Sequence, residues 1–321
     1  MTKRIVEHIG TTLLEAIVVV GVLAALLAFW QAADGLSPFT AFGANNATTT
    51  VVIGNSAPSV SSVTLNGGSA ITLTANTTTN VSVGVTISDN NGCSDITGGS
   101  TTVMIYRTSV GSSSCMTTAS NLNCYRASAF TASSSCSGNT VTATTTFAVY
   151  YFAQATDASS SYSSSDWTAT VVFKDSSVTT GTSDSTGREL NTLTALDVTT
   201  SSINYGTLSA SSTTAGVNQI TTSTNAGNST TTLQLSALAT LTSGANSIAT
   251  TSQRYATSSF TFYGLSVALQ QTAANVDGYK LTAPTSTTNV QSPIFWGLEV
   301  PAGTATGTYN GTTLFTAIWA A

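Results

Sequence analysis

Two hydrophobic rhythms divide this chain. From Leu13 to Trp30 the residues are overwhelmingly apolar, and Glu15 is the only charge in the run. A helix rises about 1.5 Å per residue, so roughly 20 apolar residues span a bilayer. The pattern predicts a hydrophobic helix over 11–33, closed by Gly35 and Pro38, neither of which continues a helix well. Lys3 and Arg4 precede it, and positive charge stays inside, so the N-terminus is expected in the cytoplasm and the remainder outside.

Beyond residue 55 the period changes to two. Val81, Val83, Val85 and Ile87 alternate with Ser82, Gly84, Thr86 and Ser88, the mark of a half-buried strand. Asp89-Asn90-Asn91-Gly92 then supplies turn residues. Further strands are predicted at 103–107, at 141–152 and through Trp167, Ala169, Val171 and Phe173. Trp167, Phe147, Val149 and Tyr151 are the expected core. Later alternations follow at Leu233/Leu235, Phe260/Phe262 and Ile294/Trp296/Leu298/Val300. Short strands between turn signals argue a β-sandwich. The fold class expected is mainly β: a hydrophobic N-terminal helix, then two β-sandwich domains. The segments are a leader at 1–10, the helix at 11–33, a linker at 34–54, a first sandwich at 55–184 and a second at 185–321. The Ser/Thr cluster at 176–185 marks the last boundary.

Composition supports a packed, secreted β protein. Charged residues make up 7% of the chain while 41% is hydrophobic, the reverse of a disordered sequence. A net charge of −5 with no basic run beyond the leader excludes a nucleic-acid partner. The four cysteines, Cys93, Cys115, Cys124 and Cys136, lie close together with no CxxC pair and no nearby histidine. Zinc needs closer ligand spacing, so two disulfides are expected, with all three connectivities open.

The N-terminal arrangement resembles that of type IV pilins and pseudopilins: a short charged leader ending in Gly10, then an apolar run with a glutamate, Glu15, as the fifth residue after the glycine. The resemblance implies cleavage by a prepilin peptidase between Gly10 and Thr11. It also implies insertion into the membrane, extraction by inner-membrane assembly machinery, and packing of the helix into a homo-oligomeric filament. Glu15 would then pair with the Thr11 amine of a neighbouring subunit, with Leu13, Leu14, Ile17, Val18, Val20 and Leu23 carrying the helix contacts. The stretch NSAPSVSSVTLNGG resembles the entry strand of bacterial immunoglobulin-like surface modules. The final VPAGTATGTYNGTTLFTAIW resembles the closing hairpin of such sandwiches, with Asn310-Gly311 as a tight turn.

Candidate chemistry is sparse. The only histidine is His8, in the leader, and there is no GxSxG elbow, so nucleophilic catalysis has no base. No enzyme activity and no cofactor are expected. The external acids, among them Asp89, Asp95, Asp157, Asp175 and Asp277, mostly stand beside Gly, Ser or Asn and are expected as solvated turn residues, while Glu299 is expected on a strand, facing the surface opposite Trp296 and Leu298. One group offers metal ligands: Asp89, Asn91 and Asp95 present oxygen donors at alternating positions, as calcium loops do. Cys93 and Ser100 stand where an EF-hand needs a donor and a glutamate, so this is a looser calcium candidate. Asn-x-Ser/Thr acceptors occur at Asn46, Asn76, Asn80, Asn228 and Asn310. The expected function is a structural subunit of an extracellular type IV pilus-like filament, with a minor or adhesive role left open, and with a hydroxyl-rich surface suited to a glycan or cell-surface ligand. The alternative is a monomeric membrane-anchored surface adhesin or cell-envelope binding protein.

Overall fold

The computed structural model describes residues 21–25, 48–128, 131–132, 136–200 and 202–320. Residues 1–54 and Asn55–Ala321 form separate units. In the first, residues 21–25 are helical and Leu23 is exposed. The rest of the predicted helix, with Gly10, Thr11, Leu13, Leu14, Glu15, Ile17, Val18 and Val20, lies outside the described residues, as do Phe39 and Phe42 of the linker. Among the described residues no helix is long and apolar enough to cross a membrane.

The second unit is mainly β, with antiparallel sheets and, among the described residues, two short α-helices and two single 3-10 turns. Its first half contains β1 (Ser59–Leu65), β2 (Thr78–Ser88), α1 (Cys93–Thr97), β3 (Ser100–Arg107), α2 (Ser112–Thr117) and β4 (Cys124–Ala127). There follow β5 (Thr131–Ala132), β6 (Thr140–Tyr150), β7 (Trp167–Lys174) and β8 (Thr180–Asp184). Two four-stranded sheets result, ordered β1-β2-β6-β5 and β4-β3-β7-β8.

The β2–β6 ladder runs unbroken from Thr78↔Tyr150 to Ser88↔Thr140. Both strands are rich in Val and Thr, whose branched side chains suit a pleated surface. Their period of two sends Val81, Val83, Val85 and Ile87 inward beside Val141, Ala143, Phe147 and Val149. The other sheet supplies Val103, Ile105, Trp167, Ala169, Val171 and Phe173 to the same core, as the alternation predicts. Trp167 is fully buried, and its indole N–H donates to the Gln154 carbonyl at 2.9 Å.

The second half contains β9 (Leu196–Val198), β10 (Ser212–Thr213), β11 (Gln219–Asn225), β12 (Thr231–Ala237), β13 (Leu241–Ser243) and β14 (Asn246–Ile248). It continues with β15 (Gln253–Ala256), β16 (Val267–Ala268), β17 (Ala274–Asn275), β18 (Gln291–Val300) and β19 (Thr313–Trp319). The principal sheet runs β16-β15-β18-β11-β9, with β10 also paired to β18. A second runs β17-β12-β19, and β13-β14 is a separate hairpin. Trp296, fully buried, centres the core with Tyr255 and Phe315 at ring separations of 5.8 and 5.9 Å. Its indole N–H donates to Thr221 Oγ1.

Two local expectations are corrected. Phe260 and Phe262 are buried but lie in a loop and turn after β15, so their alternation is not a strand. The C-terminal segment is not a hairpin: β18 and β19 belong to different sheets, and Val300 to Thr313 crosses between them. Asn310 meets Thr242 in an isolated bridge on the way.

The two cores meet within one compact unit, the first ending around Leu193 and the second beginning at Leu196. A buried loop joins them. Asn228 donates to the carbonyls of Ala153 and Asn191 and accepts from the Leu193 N–H at 2.6 Å. Asn225, fully buried, donates to the carbonyls of Ser229, Leu281 and Thr282. Gly227 packs so closely that a Cβ there would stand 2.1 Å from the Leu193 carbonyl oxygen, which only glycine permits.

Asn228 is therefore a structural amide, not an accessible acceptor like the exposed Asn76, Asn80 and Asn310. Replacing Asn228 with Ala strands buried backbone partners and should cost roughly 1–3 kcal/mol in urea unfolding. Asn80→Ala, at an exposed site, should stay within about 0.5 kcal/mol.

Candidate functional site

Where β2 and β7 end, the chain brings three acids together. Asp89 follows the last residue of β2, Asp175 follows the last residue of β7, and Asp95 lies on α1. One carboxylate oxygen from each lies within 4.8 Å of the others. All three side chains are buried, at 2% exposure for Asp89, 7% for Asp95 and 4% for Asp175. The expectation that these acids are solvated turn residues is thus corrected: the turns are there, but α1 and the start of the unit fold over them.

The surrounding donors fix each carboxylate. The Asn91 N–H donates to Asp89 Oδ1 at 2.8 Å, an Asx turn at the tip of β2. Ser176 Oγ donates to Asp95 Oδ1, and the Ser176 N–H to the Asp95 carbonyl. Asp175 accepts from Asn55 Nδ2 at 3.0 Å, from the Thr179 N–H at 2.8 Å and from the Thr179 hydroxyl. Burial opposes ionisation of Asp175, but these hydrogen bonds outweigh it and hold the carboxyl below its ordinary range. Asp89 Oδ2 is buried with no hydrogen-bond partner at all.

Of the oxygen ligands read from the sequence, the structure thus unites Asp89 and Asp95 but gives Asn91 another task. The Asn91 Oδ1 accepts from the Ser56 N–H at 2.7 Å and so pins the start of the unit to the turn. Asp175 was not part of the sequence cluster. It stands 80 positions beyond Asp95, and only the β3–β7 pairing carries it there. The sequence signal it shares with Asp89 is a carboxylate directly after an alternating strand.

Both disulfides form, as Cys93–Cys136 and Cys115–Cys124, and no cysteine is free. The first ties α1, and with it Asp95, to the segment entering β6. The second is buried with Met104 and Tyr106 in a small core beneath α2. Glu299 is half-buried on β18, beside the fully inward Leu298 and Val300, as alternation requires.

No protein-family model matches the chain, and neither does any curated protein. Among solved structures it is similar to the CsuC–CsuE chaperone–tip adhesion subunit complex of the archaic chaperone-usher Csu pili of Acinetobacter baumannii. That match has 9% identity, covers 78% of this chain and 96% of the other, and has a TM-score of 0.34. It is also similar to red sea bream transglutaminase, at 7% identity over 80% of this chain and 31% of that one, with a TM-score of 0.20. Identities and scores of this size assign neither family nor activity.

The two bridges should differ in weight. Their sequence separations are 43 and 9 residues. Loop-closure entropy then gives roughly 4 kcal/mol for Cys93–Cys136 and roughly 2.6 kcal/mol for Cys115–Cys124. Paired Cys→Ser variants measured in urea should preserve that order.

Proposed function

We propose that this chain is a structural subunit of an extracellular type IV pilus-like filament. The observation that carries the reading is Gly10 followed five residues later by Glu15 at the head of the apolar run Leu13–Trp30. A carboxylate within such a run costs on the order of 2.5 kcal/mol when it sits near the bilayer centre. It gains most from a cationic partner, and the amine freed by cleavage before Thr11 is one. The pair would set the register of packed helices and disfavour unassembled subunits.

Three features of the β unit support an exterior role. All four cysteines are paired, as an oxidising compartment allows. Acids and bases are few, and hydroxyl-bearing residues cover much of the exposed surface. The sole histidine is in the leader, which leaves the mature β unit without the commonest general base. In this reading the sandwiches are immunoglobulin-like display domains without catalytic activity, turned outward toward a glycan or cell-surface ligand.

Glu15→Ala tests the mechanism. The variant should be produced and processed normally yet be missing from filaments sheared from the cell surface. Undiminished incorporation would reduce the helix to a tether and leave a monomeric anchored adhesin.

A further inference from the structure

We propose that Asp89, Asp95 and Asp175 form a calcium-binding site that locks the start of the β unit to both sheets of its first half. The inference stands apart from the filament reading and holds for a tethered protein equally well.

Three carboxylates within 4.8 Å of one another repel, and burial removes the water that would screen them. Their hydrogen-bond partners are amides, hydroxyls and backbone N–H groups, with no basic side chain among them. Those donors orient the carboxylates without neutralising their charge. They act as outer-shell groups do around a metal, fixing the first ligands in place.

The independent observation is Asp89. Its Oδ1 is engaged by the Asn91 N–H, while its Oδ2 is buried and has no partner. A buried anionic oxygen without a donor carries its full desolvation penalty with nothing to offset it. A cation among the three side chains supplies the missing interaction and cancels most of the repulsion in one step.

The donor chemistry selects the ion. The three ligands are hard carboxylate oxygens with no nitrogen or sulfur among them; Cys93, nearby on α1, is bound in its disulfide. That set suits Ca2+ or Mg2+ rather than zinc or copper. The ligands come from two strand ends and one short helix, an irregular frame that Ca2+ accepts more readily than the octahedral Mg2+. Extracellular calcium modules work at roughly 10⁻⁴–10⁻³ M, a concentration met outside the cell.

The consequence is mechanical. The turn after β2 receives the Ser56 N–H on Asn91, and Asp175 receives Asn55 Nδ2. An ion at the trio would therefore tie residues 55 and 56, α1 and the ends of β2 and β7 into one knot.

The test uses the full chain in detergent, stripped with EDTA and then titrated with CaCl2 or MgCl2. Bound 45Ca2+ is counted by equilibrium dialysis and the melting temperature is followed in parallel. One Ca2+ per chain is expected. The Tm should rise by roughly 5–10 °C once Ca2+ reaches a hundredfold excess over Kd, and Mg2+ should bind more weakly. Asp89→Asn should abolish both the binding and the Ca2+-dependent rise. It should also melt no lower than the wild type in EDTA, because one repelling charge is gone; that keeps loss of the site distinct from loss of the fold. Asp197→Asn, at an exposed position on β9, should leave both readouts unchanged. No bound Ca2+ in the wild type would overturn the proposal. So would full binding by Asp89→Asn, or equal binding of Mg2+.

Discussion

The register between β2 and β6 holds the rest of the β unit in place. The two strands pair without a bulge from Thr78↔Tyr150 to Ser88↔Thr140, and Val81, Val85 and Ile87 face Phe147, Ala143 and Val141 across the ladder. A slip of one residue would turn Val81, Val83, Val85 and Ile87 to water. Each end of this ladder then carries a distinct structure. At one end Asp89 leaves β2 with its N–H on the Asn139 carbonyl, which sets the turn, the Cys93–Cys136 bridge and the acid trio. At the other, Asn76 donates to the Ala226 carbonyl and Ala153 accepts from Asn228, which joins the first core to the second.

With charged residues at 7%, the chain meets its buried polar needs with neutral groups. Asn225 and Asn228 hold the joint, Thr221 receives the Trp296 indole, and Thr214 Oγ1 receives the Leu298 N–H. Neutral hydrogen bonds bury without the desolvation cost of ions. Against that background the three clustered carboxylates stand out. Among the described residues, Asp89 Oδ2 is the one buried carboxylate oxygen without a partner.

The local pattern made much of the first half of the β unit legible. Period-two alternation located β2, β3, β6 and β7 and their inward residues, because half-buried strands leave that signature wherever they occur. It also marked β12 and β18. It failed where neighbours in sequence part in space: Val300 and Thr313 flank a crossover between sheets, and nothing local distinguishes that from a hairpin. The same limit governs the site. Asp89, Asn91 and Asp95 form a visible cluster, but burial and the arrival of Asp175 depend on pairings across some 80 positions. The disulfide partners were open for the same reason, since spacing constrains loop length and not which ends meet.

The functional account rests on how the N-terminus is processed, and intact plus N-terminal mass spectrometry of the protein taken from cell surfaces tests it most directly. The account predicts a mature chain beginning at Thr11, with its amine free or methylated and available to Glu15 of a neighbour. A chain beginning at Met1 or Thr2 would contradict it, because the glutamate would then have no freed amine to pair with and the apolar helix would serve only as an anchor.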